Sequence, residues 1–133
     1  MSMRVGLRST ALKLNATHAA LTPHQKAIKA AKLITEHFKK NSPKFPNTDD
    51  YDTTTTKRIV WGINEVGIQV KKASNGKFDV VVPFYDSNGY TRESDVFRAL
   101  KVVLGGHAGL PPPSKELKAA LKGIQLTVLR VGN

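Results

Sequence analysis

The sequence predicts an α+β fold: an N-terminal basic arm and amphipathic helix, an antiparallel β-hairpin sheet, two C-terminal helices and a final strand. Three observations carry this expectation. Residues 23–40 place apolar side chains at helical spacing behind a capping box, and residues 66–85 alternate around Asn75-Gly76. Residues 96–104 return to the helical period and stop at Gly105-Gly106. The 133 residues, 40% of them apolar, are enough to bury a core and too apolar for a wholly disordered chain. The expected organisation is an arm over 1–21 and a single domain over 22–133, with a linker at 41–56.

Thr22-Pro23-His24-Gln25 offers an N-cap hydroxyl, a proline at the first helical position and a glutamine at the third. At about 100° per residue, Ala27, Ala30, Ala31, Ile34 and Phe38 share one face, opposite Lys26, Lys29, Lys32, Glu36, Lys39 and Lys40. Asn41-Ser42-Pro43 ends this helix. The linker follows, with Pro43, Pro46, the acidic stretch Asp49-Asp50-Tyr51-Asp52 and four consecutive threonines. Its carboxylates read as a solvated loop, because a cation site needs further ligands that the spacing does not supply.

Lys57 to Ile63 is β-branched and aromatic enough for a strand, with Gly62 as a bulge. Val66, Ile68 and Val70 alternate towards Asn75-Gly76, the preferred pair for a tight hairpin. The return strand, 77–85, puts Phe78, Val80, Val82 and Phe84 on one face. Pro83 lacks an N–H and assigns that end to an edge or a bulge. Asp86-Ser87-Asn88-Gly89 is a turn, and Thr91 or Ser94 caps a helix with Val96, Phe97, Leu100, Val103 and Leu104 as its core stripe. Pro111-Pro112-Pro113 leads to Ser114 as the N-cap of a short helix through Lys122, which Gly123 terminates. Residues 124–131 form the last strand, paired antiparallel.

Charge is the strongest functional signal. Lysine and arginine number 21 against 10 acids, a formal charge of +11. Residues 1–48 hold nine basic residues and only Glu36 as an acid, so +8 lies in the first third. Solubility needs a net charge of about 2 to 8, so the excess points to a polyanionic partner, nucleic acid first. An anionic membrane or an acidic protein is the alternative. The candidate phosphate contacts are Arg4, Arg8 and Lys13 in the arm, and Lys26, Lys29, Lys32, Lys39 and Lys40 on the first helix. Lys57 and Arg58, which precede the lone tryptophan Trp61, belong with them, as do Lys71, Lys72 and Lys77 around the hairpin turn. Trp61 itself is expected in the core more than on a stacking surface. The arm, free of acids, also has the composition of a mitochondrial transit peptide, and is expected to order only against a partner.

Other chemistries find little support. No cysteine is present, so thiolate metal sites, disulfides and cysteine catalysis are excluded. His18, His24, His37 and His107 show no metal-ligand spacing, no nucleophile elbow occurs, and neither a cofactor nor a metal is expected. Glu93 and Asp95 offset a helix dipole, and Gly105–Gly109 is a helix terminus more than a phosphate loop. No apolar run reaches the roughly 20 residues of a membrane span. A lysine- and alanine-rich helix ahead of a sheet is similar in pattern to small tail-completion proteins of tailed phages, a likeness that carries no residue role. The expected function is a non-enzymatic, basic structural protein of a large nucleic-acid-containing assembly, a virion or a ribonucleoprotein particle, meeting RNA or DNA and neighbouring subunits. A phage neck or tail protein with protein partners only, and a mitochondrial ribonucleoprotein component with an uncleaved basic terminus, are the alternatives.

Overall fold

The computed structural model describes residues 20–41, 53–107 and 109–132. Helices α1 (Pro23–Asn41) and α2 (Thr53–Glu65) precede strands β1 (Gln69–Lys72) and β2 (Phe78–Tyr85). Helices α3 (Glu93–Leu104) and α4 (Lys115–Ala120) then lead to β3 (Gln125–Val131). Helices around a three-stranded sheet make this an α+β fold. The basic arm's Arg4, Arg8 and Lys13, and the acidic stretch at 49–52, lie outside the described residues.

Helix α1 starts on its capping box. The Thr22 N–H donates to Gln25 Oε1 (2.9 Å) and the Gln25 N–H donates to Thr22 Oγ1 (3.1 Å). Two N–H groups that a helix start leaves orphaned thus find acceptors. Ala27, Ala30, Ala31, Ile34 and Phe38 are buried and join one core cluster with residues of the sheet, α2, α3 and α4. Three of these five are alanines, so the helix backbone can lie close to β1, β2 and α4, the elements it packs on.

The expected strand at 57–63 is instead the body of a helix, and the expected linker ends early, because α2 begins at Thr53. The threonines and Ile59-Val60-Trp61 have β propensity, but propensity differences amount to at most about 0.7 kcal/mol per residue. Burial decides. Thr55, Thr56, Ile59 and Ile63 are all buried, at a spacing that only a helix puts on one face. A strand would have set Trp61 beside Ile59 and Ile63; the helix turns it outward, where it is 56% exposed. Gly62 is accordingly no bulge. It lets α2 come so close to β2 that an added Cβ would stand 2.4 Å from the Pro83 carbonyl oxygen.

Strand β2 is central, flanked by β1 antiparallel and by β3 parallel, so the last strand does not pair as expected. Its crossover through α3 and α4 makes the parallel connection possible. Val80, Val82 and Phe84 are fully buried towards the core, and Val81 is buried on the other face. Pro83 sits in this central strand at no cost to the ladder. Asp86 N–H donates to Val131 O on β3, so alternation turns position 83 away from β3. β1 pairs only with residues 78–81, which leaves position 83 beyond its end. There α2 takes over, with Gly62 against the Pro83 carbonyl.

The hairpin turn is centred one residue earlier than expected. Gly76 N–H donates to Ala73 O (3.1 Å) and Ala73 N–H to Lys77 O (2.8 Å), with Gly76 left-handed at φ +79°. Glycine there relieves the twist of a longer loop. Asn75 Oδ1 accepts from Lys77 N–H (3.0 Å). Helix α3 is capped by neither Thr91 nor Ser94; Arg92 holds the N-cap position without a side-chain cap. Its stripe of Val96, Leu100, Val103 and Leu104 is buried, while Phe97 is only half-buried under Lys101 Nζ, 4.8 Å from the ring centroid. Ser114 does cap α4, its Oγ accepting from Leu117 N–H (3.0 Å).

Gly62→Ala is expected to destabilise the protein by about 1–3 kcal/mol despite alanine's better helix propensity, because the Cβ meets backbone that cannot rotate away. Urea unfolding of the two proteins measures the difference, and a stabilised variant would show that α2 can slide off β2.

Candidate nucleic-acid interface

The charged residues divide into those the fold uses and those it leaves in solvent. Lys26, Lys29, Lys32, Lys39 and Lys40 are all exposed on α1. Lys29 Nζ lies 3.7 Å from Glu116 Oε2 on α4, with both side chains about half exposed, a pairing worth about 0–1 kcal/mol and weakened by salt. Among the described residues, Lys26, Lys32, Lys39 and Lys40 form no ion pair. Lys71, Lys72 and Lys77 are exposed at the hairpin. The structure brings this hairpin to α1: the His24 ring, one residue into the helix, packs 4.8 Å from the ring of Phe78, the cross-strand partner of Lys72. Lys115, Lys118 and Lys122 are also exposed, in and just after α4, the helix whose Glu116 meets Lys29. Sequence periodicity could not find the Lys29–Glu116 pairing, because it is a tertiary contact.

Arg58 differs from the others. Its Nη1 lies 3.4 Å from both Asp86 Oδ1 and the Tyr85 carbonyl oxygen, so its charge is held inside the fold. Asp86 is fully buried at the end of β2. It accepts from Thr91 N–H (2.8 Å) and Gly89 N–H (3.1 Å), and Arg130 Nε on β3 is 3.9 Å away. Arg130 Nη2 also donates to the Thr91 carbonyl, and its guanidinium lies 5.4 Å from the Phe84 ring centroid. The Thr91 N–H, then the Arg58 charge and the N–H groups of Gly89 and Asn88, hold the Asp86 carboxyl below its ordinary value against the opposing effect of burial. The sequence shows only a turn here.

Lys57 is exposed one helical turn before Trp61. Trp61 and Tyr85 meet edge to face, with centroids 6.0 Å apart and planes at 82°. With Asn64 and Glu65 they line an open notch of about 330 Å³.

A larger cleft of about 600 Å³ lies between the second half of α1 and the segment entering α4, with His37, Lys40, Pro112 and Glu116 among its lining residues. His37 is buried; Asn41 Nδ2 sits 3.2 Å from its Nδ1 and donates to its carbonyl (2.9 Å). That donor places the ring proton on Nε2, which is buried and has no partner among the described residues. Burial first, and the Lys40 charge second, lower the His37 pKa below 6.5. Among the described residues, no three of histidine, cysteine, aspartate and glutamate come together as metal ligands, and no helix is long and apolar enough to cross a membrane.

The chain matches no protein-family model, no curated protein and no solved structure.

Both shifted groups make stability depend on pH. Each has a folded pKa below its unfolded one, so each contributes above the unfolded value and loses that contribution as pH falls. His37 therefore lowers the melting temperature as pH falls below its ordinary pKa of 6.5, and His37→Gln is expected to flatten that part of the profile. The Asp86 contribution disappears at acid pH, below the ordinary carboxylate value of 3.8. Asp86→Asn should remove that acid limb and lower the melting temperature at neutral pH, since Arg58 is left half-buried without its counter-charge. Circular dichroism melts across the range read both effects.

Proposed function

We propose that this protein is a non-enzymatic structural component of a nucleic-acid-containing assembly, a virion or a ribonucleoprotein particle, and that it meets the phosphate backbone through α1 and the adjoining hairpin. The observation that carries this reading is the set of exposed α1 lysines with no ion pair among the described residues, in a chain of formal charge +11. The folded core makes no use of them. Folding would be served as well by neutral polar residues, whereas each cation brought to a phosphate releases condensed counterions. The hairpin lysines support the reading because the His24–Phe78 contact sets them beside the start of α1. Arg58 is not among the phosphate contacts, since its guanidinium serves Asp86. Arg4, Arg8 and Lys13 belong to the same proposed footprint by composition.

Replacing Lys26, Lys32, Lys39 and Lys40 together by glutamine should leave the melting temperature nearly unchanged. The slope of log affinity against log salt on duplex DNA should become shallower by about 0.9 for each phosphate no longer neutralised. A salt-titrated binding assay measures the slope, and an unchanged slope would remove α1 from the interface.

A further inference from the structure

We propose that the Trp61–Tyr85 notch seats one unpaired base of a single-stranded nucleic acid, whose backbone passes on the Lys57 side. This rests on the phosphate-binding reading above and narrows it to single strands. A tryptophan 56% exposed is unusual, because burial of so large an apolar surface is normally among the strongest contributions to a core. Here the helical turn of α2 holds it out, beside a tyrosine that is itself fixed. The backbone of Gly132 presses on the Tyr85 ring so closely that a Cβ there would lie 2.5 Å from it, and the Tyr85 carbonyl is held by Arg58. An edge-to-face pair occupies the face of only one ring, so flat aromatic surface remains for stacking. The platform is rigid before any ligand arrives, which lowers the ordering cost of binding.

The rest of the notch has chemistry suited to a base and unsuited to a phosphate. Asn64 can donate and accept along a base edge, while the Glu65 carboxylate only accepts, which favours bases that carry an amino group. The same carboxylate repels phosphate from the notch. Lys57, exposed and without an ion pair among the described residues, lies one turn away towards the start of α2, where its charge can meet a phosphate. Base inward and phosphate outward is the arrangement of sequence-tolerant single-strand binders, whose aromatic platforms accept any base by its flat face.

Trp61 is the only tryptophan in the chain, so its fluorescence reports on this notch alone. The full chain would be titrated with single-stranded oligodeoxycytidine of about 12 nucleotides, with a duplex of the same length, and with inorganic polyphosphate. Single strands should quench Trp61, and polyphosphate should bind without comparable quenching. Trp61→Ala should weaken single-strand binding about tenfold while leaving polyphosphate affinity unchanged, and Trp61→Phe should retain most of the affinity. Melting curves verify that both variants fold. If all three ligands bind, but without quenching by single strands and equally to the Trp61→Ala protein, the notch assignment falls and the phosphate reading stands. If none binds, both fall.

Discussion

Asp86 stands where β2 ends and where α2, β3 and the approach to α3 converge. A buried carboxylate is tolerable only with its lone pairs and charge satisfied. Here the satisfying groups come from separate parts of the chain: Arg58 from α2, Arg130 from β3, and the Gly89 and Thr91 N–H groups from the loop before α3. Each partner can reach Asp86 only if its own element is correctly seated. The carboxylate thus couples the position of α2 to the register of β3, and fixes the direction in which α3 departs. Such a group adds specificity as much as stability, because a slipped arrangement would bury the same charge unpaired.

The second constraint is the crowding of β2. A strand covered on both faces and bordered along its length has little tolerance for extra atoms. Pro83 and Gly62 meet this limit together: one lacks the N–H that would need a partner beyond β1, and the other lacks the Cβ that would collide with the Pro83 carbonyl. Each looks out of place within its own element, a proline in a central strand and a glycine in a helix. Their fit becomes visible only across the contact between the two elements.

The charges paired within the fold and those left in solvent are segregated. Partly buried Arg58 and Arg130 close on the buried Asp86, whereas Lys26, Lys32, Lys39 and Lys40 stand in solvent with no ion pair among the described residues. This separation means that the exposed α1 charges could change without disturbing the core. Trp61 belongs with the surface group although its chemistry would suit the interior, and that mismatch gives the notch its interest.

Local chemistry was legible in the chain itself. The Thr22–Gln25 box, the alanine face of α1, the alternation from Phe78 to Phe84, the Ser114 cap and the basic first third all depend on neighbours within a few residues. Capping, periodicity and composition are properties of such short spans. Residues 53–65 misled because β-branched propensity and helical burial pointed in opposite directions, and burial against β2 is the larger effect. The parallel seating of β3, the inward turn of Arg58, the outward turn of Trp61 and the meeting of α1 with the hairpin were decided by tertiary structure alone. Each is a relation between residues distant in the chain, set by which surfaces exclude water together, and no local pattern encodes which surfaces those will be.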